Sequence, residues 1–117
     1  MARYEHLPLF KSVYDFQLYF FKLSNNFAKD YKYGLAQEVR INLVNLMDKI
    51  IAANNMTDKA TILSEAEIVT EQIKIKGRML RDLKVMSLKS YEYFFRQLTE
   101  ISKQIKAWES WSQRGRS

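Results

Sequence analysis

The side chains of this sequence whose types and spacing suggest chemistry are its lysines and arginines. Residues 1–70 carry 8 Lys+Arg against 8 Asp+Glu, so the whole net charge of +6 falls on residues 71–117, which carry 11 against 5. At 100° per residue, Lys74, Arg78, Arg81 and Lys84 share an arc of about 120°, largely opposite the apolar stripe of their segment. Further on, Lys89, Arg96 and Lys103 repeat every seven residues, again opposite the apolar stripe. Such a layout suits a phosphate backbone, because each cation that neutralises a phosphate releases a condensed counterion. Helix exteriors are ordinarily rich in Lys and Arg, so a merely solvated face is the competing reading. Sparse compensation weighs against it: only Glu71, Asp82, Glu92, Glu100 and Glu109 offset the eleven cations. No base-reading motif separates RNA from DNA.

The catalytic inventory is nearly empty. The single histidine, His6, precedes the first helical segment, and there is no cysteine. No Glu-x-x-His or His-x-x-x-His pair offers a metal site on a helix. Nucleotide-binding glycine loops are missing as well. Glu65 and Glu67 stand two residues apart, on different helix faces, and do not form a carboxylate pair. The expectation is a protein without enzymatic activity, metal or cofactor.

Four segments must position these charges, at about 9–28, 33–53, 58–85 and 88–112, each with an apolar period of 3.6 residues. One Pro and three Gly favour long helices over short strands. The expected core stripes are Phe10, Val13, Tyr14, Phe20, Phe21 and Phe27; then Leu35, Val39, Leu43, Leu46, Met47 and Ile50; then Ile62, Ala66, Val69, Ile73, Leu80 and Leu83; and finally Tyr91, Phe94, Phe95, Leu98, Ile101, Ile105 and Trp108. Thr57 or Asp58, and Ser87, are N-cap candidates. Short connections predict one all-α domain over 1–117, an antiparallel up-down-up-down four-helix bundle with a frayed polar tail from Ser112.

Some apolar residues fall outside those stripes. Phe16, Tyr19 and Leu23 lie roughly opposite the first, and Ile41, Val44 and Ile51 lie well round from the second. Contiguous apolar faces rarely stay in water, so these six are the expected oligomer interface. Lys76 occupies the slot between Ile73 and Leu80 where an apolar residue belongs, and Gly77 beside it is a poor mid-helix residue. A packed stem with its amine at the bundle rim would explain the lysine. Trp108 continues the core; Trp111 either caps the bundle or stacks on a base. No segment reads as a signal peptide or approaches the length of a membrane span, so a soluble, cytoplasmic protein is expected.

Several stretches carry a family resemblance. Arg78–Glu92 (RMLRDLKVMSLKSYE), Tyr33–Arg40 (YGLAQEVR), Lys106–Ser110 (KAWES) and Tyr14–Phe20 (YDFQLYF) together resemble the Avd-like four-helix-bundle family, over about residues 12–112. Its best-known members are accessory variability determinants of diversity-generating retroelements. The resemblance implies a homopentameric, barrel-like assembly that binds the retroelement's reverse transcriptase and contacts RNA or DNA through basic surfaces. Such a protein would support mutagenic cDNA synthesis without catalysing a step. Lys74 and Arg78 match the family's Arg-x-x-x-Arg spacing, with Lys in the first position; Lys76 and Gly77 depart from its apolar pattern. A sister group encoded in intervening sequences of 23S ribosomal RNA genes shares the fold, and implies a bundle acting through protein–protein contacts alone.

Overall fold

The computed structural model describes residues 7–114, so His6 and the end of the predicted tail, 115–117, lie outside the described residues. The chain folds into four long helices and one single turn: α1 (Pro8–Ser24), α2 (Lys29–Lys32), α3 (Leu35–Asn54), α4 (Ala60–Asp82) and α5 (Leu88–Arg114). Among the described residues there is no strand. Proline, whose fixed φ suits a first turn, opens α1. Gly34 reverses the chain into α3; a Cβ there would sit 2.7 Å from the Asp30 carbonyl oxygen. Asp58 accepts the Ala60 N–H ahead of α4, and Ser87 Oγ accepts the Ser90 N–H in the first turn of α5. At the far end of α3, Lys59 donates to the Ala53 carbonyl at 2.7 Å and to that of Met56, satisfying groups that a helix end leaves open.

Each long helix packs against two others, in the cycle α1–α3–α4–α5, which leaves α1 diagonal to α4. Contacts between distant residues fix the directions. Ser12 meets Gln104 and Tyr19 meets Ser90, Asn42 meets Lys76, and Lys74 meets Phe95. All three of these neighbouring pairs run antiparallel, as an up-down-up-down bundle requires. The body is a rod of 49 × 20 × 19 Å.

The predicted core of α3 is largely the observed one, with Ala36 and Ala53 added and Leu35 at its margin. Helix α1 is phased differently. Leu9, Val13, Phe16 and Phe20 are buried, whereas Tyr14 and Phe21 face outward. This helix is apolar nearly all round, so periodicity alone left its rotation open, and packing selects the i, i+4, i+7, i+11 row. Phe16, expected at a subunit interface, is therefore a core residue with 2% of its surface exposed. Leu83 is exposed because α4 has already ended, and Leu63 rather than Ile62 is fully buried. Phe95 turns outward while Tyr91 and Trp108 are half-buried against the core. Residues 112–114 continue α5 instead of fraying.

Gly77, not Lys76, fills the slot between Ile73 and Leu80. Its missing side chain admits the ring of Phe94: a Cβ on Gly77 would lie 2.1 Å from Phe94 Cε1. Phe94 is held there by Phe16 and Phe20, at centroid distances of 5.2 and 5.7 Å. Lys76 turns toward α3, where its Nζ donates to Asn42 Oδ1 at 2.7 Å and stands 3.5 Å from Glu38 Oε1. Overpacking should outweigh alanine's better helix propensity, so Gly77→Ala is expected to lower the free energy of unfolding by about 1–3 kcal/mol in urea denaturation. Adding Phe94→Leu should recover part of that loss. Undiminished stability of the single variant would contradict the close seat.

Candidate nucleic-acid interface

Lys74, Arg78, Arg81, Lys84, Lys89 and Arg96 gather on the half of the rod that holds the end of α4 and the start of α5, joined by a five-residue turn (83–87), whereas Lys103 lies past the midpoint of α5. They do not form one uniform face. Lys74 and Arg81 flank the core at the seam with α5 and are half-buried, a correction to their expected place opposite the core. Lys74 Nζ lies 3.3 Å from Glu71 Oε1 and 6.0 Å from the Phe95 ring centroid. Arg81 pairs with Asp82 at 2.8 Å and stacks over Tyr91, its Cζ 4.8 Å from the ring centroid. The hydrogen bond to Asp82 pushes the guanidinium above its ordinary pKa, so its charge is secure. Arg78 stands more loosely, 3.9 Å from Asp82 Oδ2. The α4 cations thus already have partners within the chain, although exposed pairs of this kind contribute only about 0–1 kcal/mol.

The unshared charge lies elsewhere. Lys84, Lys89, Arg96 and Lys103 are exposed and make no ion pair among the described residues. Lys89, Arg96 and Lys103 project from α5 away from the core, as their spacing predicted. On the outer side of α5 runs a groove of about 450 Å³, lined by Arg96, Lys103, Tyr91, Phe95, Thr99 and the carboxylates Glu92 and Glu100. The aromatic lining of this groove was not foreseen, because Tyr91 and Phe95 read as core positions.

Lys84 departs furthest from expectation. It is not on α4 at all but in the left-handed conformation just beyond it, with φ 62°. Its own N–H donates to the Arg81 carbonyl, and the Val85 N–H reaches back to that of Leu80 at 2.8 Å. This is the Schellman arrangement, in which glycine is the usual residue. Lysine there costs about 1–2 kcal/mol of strain, and in exchange a cation projects from the basic end of the rod.

Two apolar faces remain outside the core. On α1 and α3, Tyr14, Leu18 and Phe21 face outward beside Ile41, which is 60% exposed, and Val44; Phe21, Ile41 and Val44 share a groove of about 480 Å³. Of the six expected interface residues, Ile41 and Val44 alone face out in this way. Leu23 and Ile51 pack against the core, and the Tyr19 hydroxyl donates to the Ser90 carbonyl at 3.3 Å. The second face was overlooked. Ile68 and Ile75, each 58% exposed, align with Met79 on the outer side of α4, at spacings of seven and four that are visible in the sequence. They line a groove of about 660 Å³ with Glu67, Glu71 and Lys106. Burial first, then the nearby Glu109 carboxylate, push the Glu67 carboxyl above its ordinary pKa.

Lys84 gives the local test. Replacing it by Gly should raise the free energy of unfolding by about 1 kcal/mol. Urea denaturation reads the change, and a loss of stability would show that the lysine is held there by contacts rather than against strain.

Among the described residues, no helix is long and apolar enough to cross a membrane. No functionally curated protein matches the chain by sequence. A family profile does, described as bAvd-like, and it runs from the start of α1 almost to the end of α5. That match takes in every helix, the Gly77 seat and the whole basic seam; over residues 8–111, the chain belongs to the bAvd-like family.

Proposed function

We propose that this chain is a non-catalytic accessory subunit of a diversity-generating retroelement, which binds the element's reverse transcriptase and holds template RNA or cDNA by its phosphates. Family membership supports the Avd-type accessory role. The observation that carries the nucleic-acid part is the set of exposed cations with no ion pair among the described residues, Lys84, Lys89, Arg96 and Lys103, which run from the α4–α5 turn along the outer side of α5. Lys74, Arg78 and Arg81 add to the local potential while their side chains brace the seam. With no partner in the chain to break, an α5 cation meets a phosphate at little cost, and the released counterions drive the association.

The two apolar faces supply the assembly. They differ in composition and lie on different sides of the bundle, so the face on α1 and α3 of one copy would cover α4 of the next. A head-to-tail contact of this sort closes into a ring when its rotation permits, as the expected homopentamer requires. In a ring the charges of all subunits add, and a modest +6 per chain becomes a strong field. The same faces equally serve a bundle of the intervening-sequence type, working only through protein contacts; nucleic-acid binding separates the two readings.

Reversing Lys89, Arg96 and Lys103 to Glu should leave the helical content intact, since none of the three has a partner in the fold. The affinity for a short RNA should collapse, and the slope of log K against log salt should shrink by about 2. The triple variant should also fail to support cDNA synthesis by the element's reverse transcriptase. Unaltered RNA affinity would contradict the assignment.

A further inference from the structure

We propose that the α4–α5 seam takes a single-stranded polynucleotide with a base stacked on Phe95, not merely a phosphate backbone of any form. This rests on the nucleic-acid reading above and adds the strandedness of the ligand. Phe95 keeps 45% of its surface exposed although it stands among charged residues. Its ring centroid lies 6.0 Å from that of Tyr91, the two planes tilted by 33°. Arg81 Cζ, 4.8 Å from the Tyr91 centroid, already covers that ring, whereas Lys74 Nζ stands 6.0 Å from the more exposed Phe95, which is left as the ring open to a base. On the outer rim Arg96 and Lys103 project without partners.

A flat π surface beside a rim of positive charge is the arrangement that binds unpaired bases without reading their identity. A duplex hides its base faces in its own stack and draws no benefit from exposed rings. The acids Glu92 and Glu100, which also line the groove, interrupt its positive charge. They favour a strand whose phosphates follow the Arg96 and Lys103 rim while a base turns inward over Phe95. The neighbouring Phe94 fixes Phe95 in this position, because its own seat on Gly77 sets the rotation of α5.

The experiment compares the affinities of the full chain for three probes of one length at one salt concentration: oligo(dT), the same backbone made abasic, and a duplex. Oligo(dT) should bind roughly five- to a hundredfold more tightly than the abasic strand, the range of one stacked base. Phe95→Leu, which keeps an exposed apolar side chain without the π face, should lower oligo(dT) affinity to near that of the abasic strand and leave duplex binding unchanged. Arg96→Glu with Lys103→Glu should weaken all three probes. Equal binding of oligo(dT) and the abasic strand, with Phe95→Leu silent, would overturn the stacking while the charge variant still upheld the backbone reading. Failure of the wild-type chain to bind any probe would overturn both.

Discussion

The contact between Phe94 and Gly77 sets the rest of this molecule. A helix in a four-helix bundle can rotate about its axis until its largest side chain finds a place, and interiors packed like crystals leave few such places. Here α4 offers one notch, at Gly77, and α5 offers one large, fully buried ring to fill it. Once Phe94 is seated, the rotation of α5 follows. Tyr91 and Phe95, three residues before and one after, fall along the seam beneath Arg81 and Lys74. Arg96 and Lys103 then point away from the core, with no ion pair among the described residues although Glu92 and Glu100 share their groove. A feature at the centre of the core thus decides what the surface presents. The same seat gathers the three buried rings Phe16, Phe20 and Phe94 into the centre of the bundle.

The basic end is organised by rank. Lys74, Arg78 and Arg81 spend much of their capacity on Glu71, Asp82 and the aromatic rings, so they brace the seam as well as charge it. Lys89, Arg96 and Lys103 of α5, with Lys84, make no ion pair among the described residues. Lys84 occupies a left-handed position that glycine would fill with less strain.

Much of the fold was legible because α3, α4 and α5 each carry one dominant apolar stripe. Val39, Leu43, Leu46 and Ile50 are spaced so that only one rotation buries them all. Helix α1 lacks that property: with aromatics at 10, 14, 16, 19, 20 and 21, two opposed rows compete, and only the facing helices choose between them. The placing of Phe16 on the wrong side follows from this. Gly77 was misread for another reason. A glycine contributes nothing to a hydrophobic pattern, so the slot it fills seemed to belong to its neighbour Lys76. The seven basic residues were singled out from charge spacing. The acids beside Lys74, Arg78 and Arg81 lie within four residues in the sequence, but the rings of Phe95 and Tyr91 come from across the seam, which spacing does not reveal. Lys84 could not have been placed without the turn geometry.

In the proposed assembly, repetition would make the weak charge of one chain consequential. Tyr14, Leu18, Phe21, Ile41 and Val44 form one uncovered apolar face, and Ile68, Ile75 and Met79 another. Monomeric proteins seldom leave two such faces in water. The most direct test of the account is therefore the mass of the nuclease-treated protein in solution, measured by light scattering after gel filtration. The account predicts one species of five times 13.9 kDa, free of nucleic acid. A stable particle of 13.9 kDa would contradict it, leaving both faces uncovered and the charges of separate chains unable to add.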